Sequence, residues 1–184
     1  MLNVFFKDKL DLFLETLKPG DIILFSGESW ISKSIQWFTD SKWDHVAFYV
    51  GDGYIIESTE VGVEKNLLKN RLKHCNELLV RRCILIQREE DINFLILKAH
   101  DMIYRGYDFL QFLGLGIYFL FRKIGIRLRF LVPNSRQRFI CSEFIYFLFL
   151  HIGIHIGKRP ELVTPQSIAQ SGNFIDISSL VLNV

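Results

Sequence analysis

The sequence predicts an α+β fold in one domain spanning residues 1–184. Three observations carry that reading. Short β-rich runs bounded by Gly, Pro and Asp recur along the chain. Between them lie segments whose apolar residues return at helical spacing. No internal repeat, low-complexity segment or linker divides one part from another.

The elements follow in order. Phe6, Leu10, Phe13, Leu14 and Leu17 share one helical face, so residues 2–17 read as an amphipathic helix, and "KPGD" ends it. "DIILFS" is a short buried strand, and Ile31, Ile35 and Phe38 mark a second, shorter helix. "DHVAFYV-GDG-YIIEST" reads as a hairpin, two β-rich runs joined by a Gly-rich loop. "ELLVRRCILI" is a further strand, and residues 91–105 return to helical spacing. "YDFLQFLGLGIYFLF" is apolar without a clear period, whereas "KIGIRLRF" alternates like a strand with one basic face. The run after Cys141 is a core helix ended near Gly153. In "TPQSIAQS", Thr164 is placed to cap a helix and Pro165 to start it. "FIDISSLVLNV" is expected to close the sheet.

Composition narrows the function. The chain is 49% hydrophobic with 17 Phe, which suits a folded core and excludes disorder. A net charge of +2 gives no overall basic balance, so nucleic acid is not an expected partner. Three cysteines, Cys75, Cys83 and Cys141, show no metal-like pairing and read as reduced thiols. Lys7, Asp8, Lys9 and Asp11 interrupt the first apolar residues, unlike a signal peptide. No run reaches the roughly 18 apolar residues of a membrane span. A cytoplasmic protein is the expectation.

The stretch "RFICSEFIYFLFLHIG" sets a thiol, a serine and a glutamate on the first turn of a greasy helix. Cys141 there is either one more small buried hydrophobe or a nucleophile held at a helix start, where a paired imidazole favours the thiolate. His74, His100, His151 and His155 lie in polar segments or on helices. "HIGIH" has ligand spacing, but Gly153 breaks that helix, and no metal is expected. His45 begins a strand and shares a face with Ala47 and Tyr49, because side chains alternate. If the loop is Gly51–Gly53, Val50 opposes Tyr54 and Ala47 opposes Glu57. Glu57 then shares the histidine's face as a diagonal neighbour, roughly 7–8 Å away by backbone. A carboxylate there orients an imidazole. A two-residue loop instead sends Glu57 to the other face and leaves Thr59 or another group as orienter.

The order "KPGDIILFSG", "WDHVAFYVGDGYIIEST", "YDF", "FICSEFI", "TPQSIAQSGNF" resembles the circularly permuted papain-like amidases. These are related to the NlpC-type cell-wall endopeptidases and the lecithin–retinol acyltransferases. In the unpermuted relatives the cysteine precedes the histidine; here His45 precedes Cys141. The resemblance covers roughly residues 18–175. It implies a central antiparallel sheet or small barrel packed against helices, one of them carrying the cysteine at its start. It implies Cys141 as nucleophile, His45 as general base and Glu57 as the residue that orients it, with no cofactor. It also places Tyr107, in "YDF", at the substrate cleft. Asp44 departs from the relatives, which often have a small polar residue before the histidine. This extra carboxylate is expected to raise the imidazole pKa and to bear on substrate choice.

The implied activity is cleavage of an amide, peptide-like bond through an acyl-enzyme. The alternatives are a lipid-directed thiol acyltransferase or phospholipase, and an inactive module that binds peptides or lipids. The lipid alternative draws on residues 109–130, where apolar and aromatic residues adjoin Arg122, Lys123, Arg127 and Arg129, with Arg136 just beyond. That mixture suits peripheral membrane contact, and equally a core helix followed by a solvated strand face.

Overall fold

A computed structural model describes residues 10–28, 30–106, 117, 118, 121, 123, 140–157 and 159–179. The apolar run before "GES" becomes β1 (Ile22–Ser26), buried along its whole length. Its neighbours are β2 (His45–Gly51), β3 (Tyr54–Thr59), β4 (Gly62–Leu67), β5 (Glu77–Cys83) and β6 (Phe174–Asp176). They form one six-stranded sheet in the order β4-β3-β2-β1-β5-β6, antiparallel at every junction. The "FIDIS" segment supplies the end strand beside β5.

Period-2 alternation divides β1 between two apolar layers. Ile22 and Leu24 join Val46, Phe48 and Ile56 on one face. Ile23 and Phe25 join Ala47, Tyr49 and Ile55 on the other. The second layer is closed by Phe13 and Leu17, in and just after helix α1 (residues 10–16), and by Leu68 of the short helix α3 (Leu68–Leu72). Residues 1–9 of the expected first helix lie outside the described residues. The first layer is closed by α4 (Glu89–Asp101) and by α5 (Cys141–Leu150), which packs on β2 and β3. Helix α2 (Trp30–Thr39) connects β1 to β2.

Helix α5 is apolar on nearly every side because it is buried on nearly every side. Phe149 packs edge-on against Phe48 at 6.2 Å and against Phe174 at 5.2 Å. Gly153 adopts φ +77°, and Ile154 N–H donates to the Phe149 carbonyl at 3.1 Å, a Schellman end. After a 3₁₀ turn (Pro160–Leu162), α6 (Pro165–Ala169) begins with the expected cap. Thr164 and Ser167 exchange side-chain and backbone bonds in a capping box, with Pro165 at the first position.

Two elements, β4 and α3, have no counterpart in the sequence reading. The hairpin also differs in detail. Gly51, not Val50, pairs with Tyr54, so Asp52 and Gly53 alone form the turn. A register shift between Tyr49 and Gly51 leaves Val50 as a bulge and restores the parity, so Ala47 still opposes Glu57. Tyr107, most of 109–130 and all of "KIGIRLRF" after Lys123 lie outside the described residues. Lys123 is described: its Nζ donates to the Trp37 carbonyl at 2.6 Å and sits 4.4 Å above the Trp37 ring.

Candidate active site

The "PGD" turn sets the position of β2. Gly20 turns at φ +96°, and Gly20 N–H and Tyr49 N–H bond across to Tyr49 and Asp21 carbonyls at 2.9 Å each. The buried Asp21 carboxylate accepts from Arg82 Nε and Nη2 at 2.7 Å each and from Lys18 N–H at 2.8 Å. Such a bidentate clamp fixes angle as well as distance. It ties the approach to β1 onto β5.

Asp44 precedes His45. Its carboxylate is buried and turned toward the loop after β1, where Oδ1 accepts from Gly27 N–H at 2.7 Å and from Gln36 Nε2 at 3.2 Å. It also does not drive the state of the imidazole. Burial and the Arg71 guanidinium press the His45 pKa down, while Cys141 and Glu57 outweigh them and lift it to about 9.

His45 and Cys141 come from opposite faces of the sheet, His45 beside the Phe25 ring and Cys141 on α5. They meet because each is the first residue of its element. Cys141 acts on the imidazole and favours its charged form. His45 Nε2 bonds Glu57 Oε2 at 2.6 Å. Nε2 is thus taken up by Glu57, and Cys141 stands at the positive end of a helix.

Glu57 is 2% exposed yet ionised, because three donors surround it. Burial alone pushes its pKa up; the His45 bond and charge, then Arg71 and Asn66, reverse this and bring it to about 2. Arg71 Nε lies 3.1 Å from the same Oε2 that holds His45. Asn66 Nδ2 donates to Oε1 at 3.0 Å. The sequence reading missed both residues. Asn66 opposes Ile55 across β3 and β4, which makes it the diagonal neighbour of Glu57 on one face. Recognising the strand in "GVEKNL" is the signal that finds it.

Ser142 and Glu143, next on the first turn of α5, are buried. Ser142 Oγ donates to the Val163 carbonyl at 2.7 Å, tying the helix start to the segment before α6. Glu143 is buried there, where the helix dipole favours a carboxylate. Burial pushes the thiols of Cys75 and Cys83 up. Among the described residues no group of three or more His, Cys, Asp or Glu is placed to hold a metal ion. No helix among them is long and apolar enough to cross a membrane.

Comparison with known proteins bears on the family and the fold. Residues 16–113 match the family model described as "permuted papain-like amidase enzyme, YaeF/YiiX, C92 family". That segment contains His45, Glu57, Asn66 and Arg71, and Cys141 lies beyond it. Over 99 residues, 53% of this chain, the sequence is 33% identical to the probable lipoprotein peptidase YaeF of Escherichia coli (strain K12). The match spans 36% of that relative's length. The fold is similar to the crystal structure titled metalloprotein yiiX from Escherichia coli O157:H7, with a TM-score of 0.67 and 20% identity. That likeness covers 86% of this chain and 95% of the other.

Proposed function

The chain belongs to the permuted papain-like amidase family, and from that premise we propose that it is a thiol hydrolase that cleaves a peptide-like amide bond through an acyl-enzyme. The observation that supports the proposal is an imidazole bonded to Glu57 through Nε2 at 2.6 Å whose charged form both Cys141 and Glu57 favour. The role of nucleophile goes to Cys141, that of general acid and base to His45, and that of orienting residue to Glu57.

In this mechanism the Cys141 thiolate attacks the amide carbon. The charge that builds on oxygen is met by the Cys141 N–H, one of the first-turn donors that have no partner within a helix. The imidazolium gives its proton to the departing nitrogen as the C–N bond breaks, leaving a thioester and a neutral imidazole. Water then attacks the thioester, giving its proton to His45. The acid leaves, and the thiolate–imidazolium pair is restored. Glu57, ionised throughout, keeps the ring from rotating and holds the proton of Nε2 in place.

The test is intact-mass analysis after exposure to an epoxide thiol probe, alongside release of amine from a panel of peptide amides. One adduct on Cys141, absent in Cys141→Ala, and amide hydrolysis lost in both Cys141→Ala and His45→Ala are expected. An unmodified Cys141, or hydrolysis that survives Cys141→Ala, overturns the proposal.

A further inference from the structure

One carboxylate oxygen at this site serves two cations. Glu57 Oε2 lies 2.6 Å from His45 Nε2 and 3.1 Å from Arg71 Nε. Asn66 occupies the other oxygen, Oε1, at 3.0 Å. The carboxylate therefore cannot turn its second oxygen toward His45 without breaking the Asn66 bond. Arg71 is held where it is from a further direction: its guanidinium stacks 5.9 Å from the centre of the Phe25 ring, and that ring lies 6.1 Å from the imidazole.

We infer that Arg71 is a positioning residue that, by sharing Oε2 with His45, limits how firmly Glu57 holds the imidazolium and so sets the pH at which that imidazolium releases its proton. The functional consequence rests on the proposed role of His45 as acid and base; the sharing itself does not. A carboxylate bonded to imidazole alone, in a buried setting, stabilises the charged ring strongly, and a ring that cannot release its proton is a poor general acid. A second cation on the same oxygen draws off part of that stabilisation and repels the imidazolium directly. The titratable groups that act on His45 are Cys141 from α5, Glu57 from β3 and Arg71 from α3. Those that act on Glu57 are His45 and Arg71. Asp44, the remaining carboxylate nearby in sequence, is turned to Gly27 and Gln36. Arg71 is the one of these whose effect on the imidazolium is to lower its pKa by charge.

Histidine NMR titration of the full chain tests the inference, with the His45 signals assigned by their loss in His45→Ala. In Arg71→Met the His45 midpoint should move up, by roughly half a pH unit or more for a partly exposed cation. Arg71→Lys, which keeps the charge, should stay close to the parent. Arg71→Gln repeats the neutral substitution with a polar side chain if the methionine variant does not fold. A midpoint that stays fixed or falls in the folded neutral variants overturns the inference, because Arg71 would then only hold Glu57 in place. Epoxide labelling of Cys141 in the unsubstituted protein is read separately. If that fails while the titration shifts as expected, the catalytic reading is lost and the charge sharing stands.

Discussion

His45 Nε2 and Glu57 Oε2 are bonded at 2.6 Å although their backbones are only diagonal neighbours across the hairpin. The bond links two opposite titration shifts, and folding stability inherits both. Glu57 falls from 4.5 to about 2, so its contribution is complete above pH 4.5 and is lost as pH drops toward 2. His45 rises from 6.5 to about 9, so its contribution is complete below pH 6.5 and is lost as pH climbs through 9. These two groups therefore favour greatest stability between about pH 4.5 and 6.5. In Glu57→Gln both limbs should flatten. Urea unfolding at a series of pH values measures this, and an unchanged pH profile in the variant would show that the pair is not coupled to folding.

Alkylation should be selective. Limiting iodoacetamide at neutral pH is expected to modify Cys141 first, because burial pushes the Cys75 and Cys83 thiols up and Cys141 alone of the three touches His45. Peptide mapping of the partly labelled protein reads the order. In His45→Ala the preference for Cys141 should shrink. Equal labelling of all three thiols in the parent would count against an activated pair.

The Asp21–Arg82 clamp should matter for stability. Asp21→Asn removes the charge from a buried carboxylate that takes two 2.7 Å bonds from Arg82. A loss of about 2–3 kcal/mol is expected. Chemical denaturation gives the figure, and a change below about 0.5 kcal/mol, the range of ordinary surface substitutions, would show that the clamp is dispensable.

Gly62 permits no side chain. It adopts φ +120°, and a Cβ there would lie 2.5 Å from the Arg105 carbonyl oxygen. That oxygen accepts from Val63 N–H at 2.9 Å, so it is not free to move aside. Gly62→Ala should cost about 2 kcal/mol or more through strain and overpacking together. Because β4 carries Asn66, the variant should also lower epoxide labelling of Cys141, compared at equal folded fraction.

How far the site could be read from sequence depended on which rule positioned each residue. The face shared by His45 and Glu57 follows from strand period, which is geometric, and it was legible even though the loop is one residue shorter than expected. The bulge at Val50 corrected the parity, and no pattern in "YVGDGY" announces it. Asn66 and Arg71 were not legible. In β4, burial passes from Gly62 and Val63 to an exposed Lys65 without alternation, because an end strand is covered on unequal terms along its length. Helix α3 spans five residues with no side-chain cap, too short to leave a periodic signal. For Asp44 the sequence shows that a carboxylate adjoins the histidine but not that it turns toward Gly27 and Gln36.

The first-residue meeting of His45 and Cys141 has a consequence for a chain still leaving the ribosome. The imidazole and its carboxylate belong to one hairpin and come together from local sequence. The thiol lies far downstream, at residue 141, on the helix that covers the opposite face of the sheet. A nascent chain thus carries the imidazole and carboxylate before it has the sulfur they are to activate. Under the proposed chemistry, an emerging chain cannot cleave itself or its neighbours until the helix starting at Cys141 has been made and has docked on β2 and β3. The reactive pair is therefore completed by a long-range contact, not by local sequence.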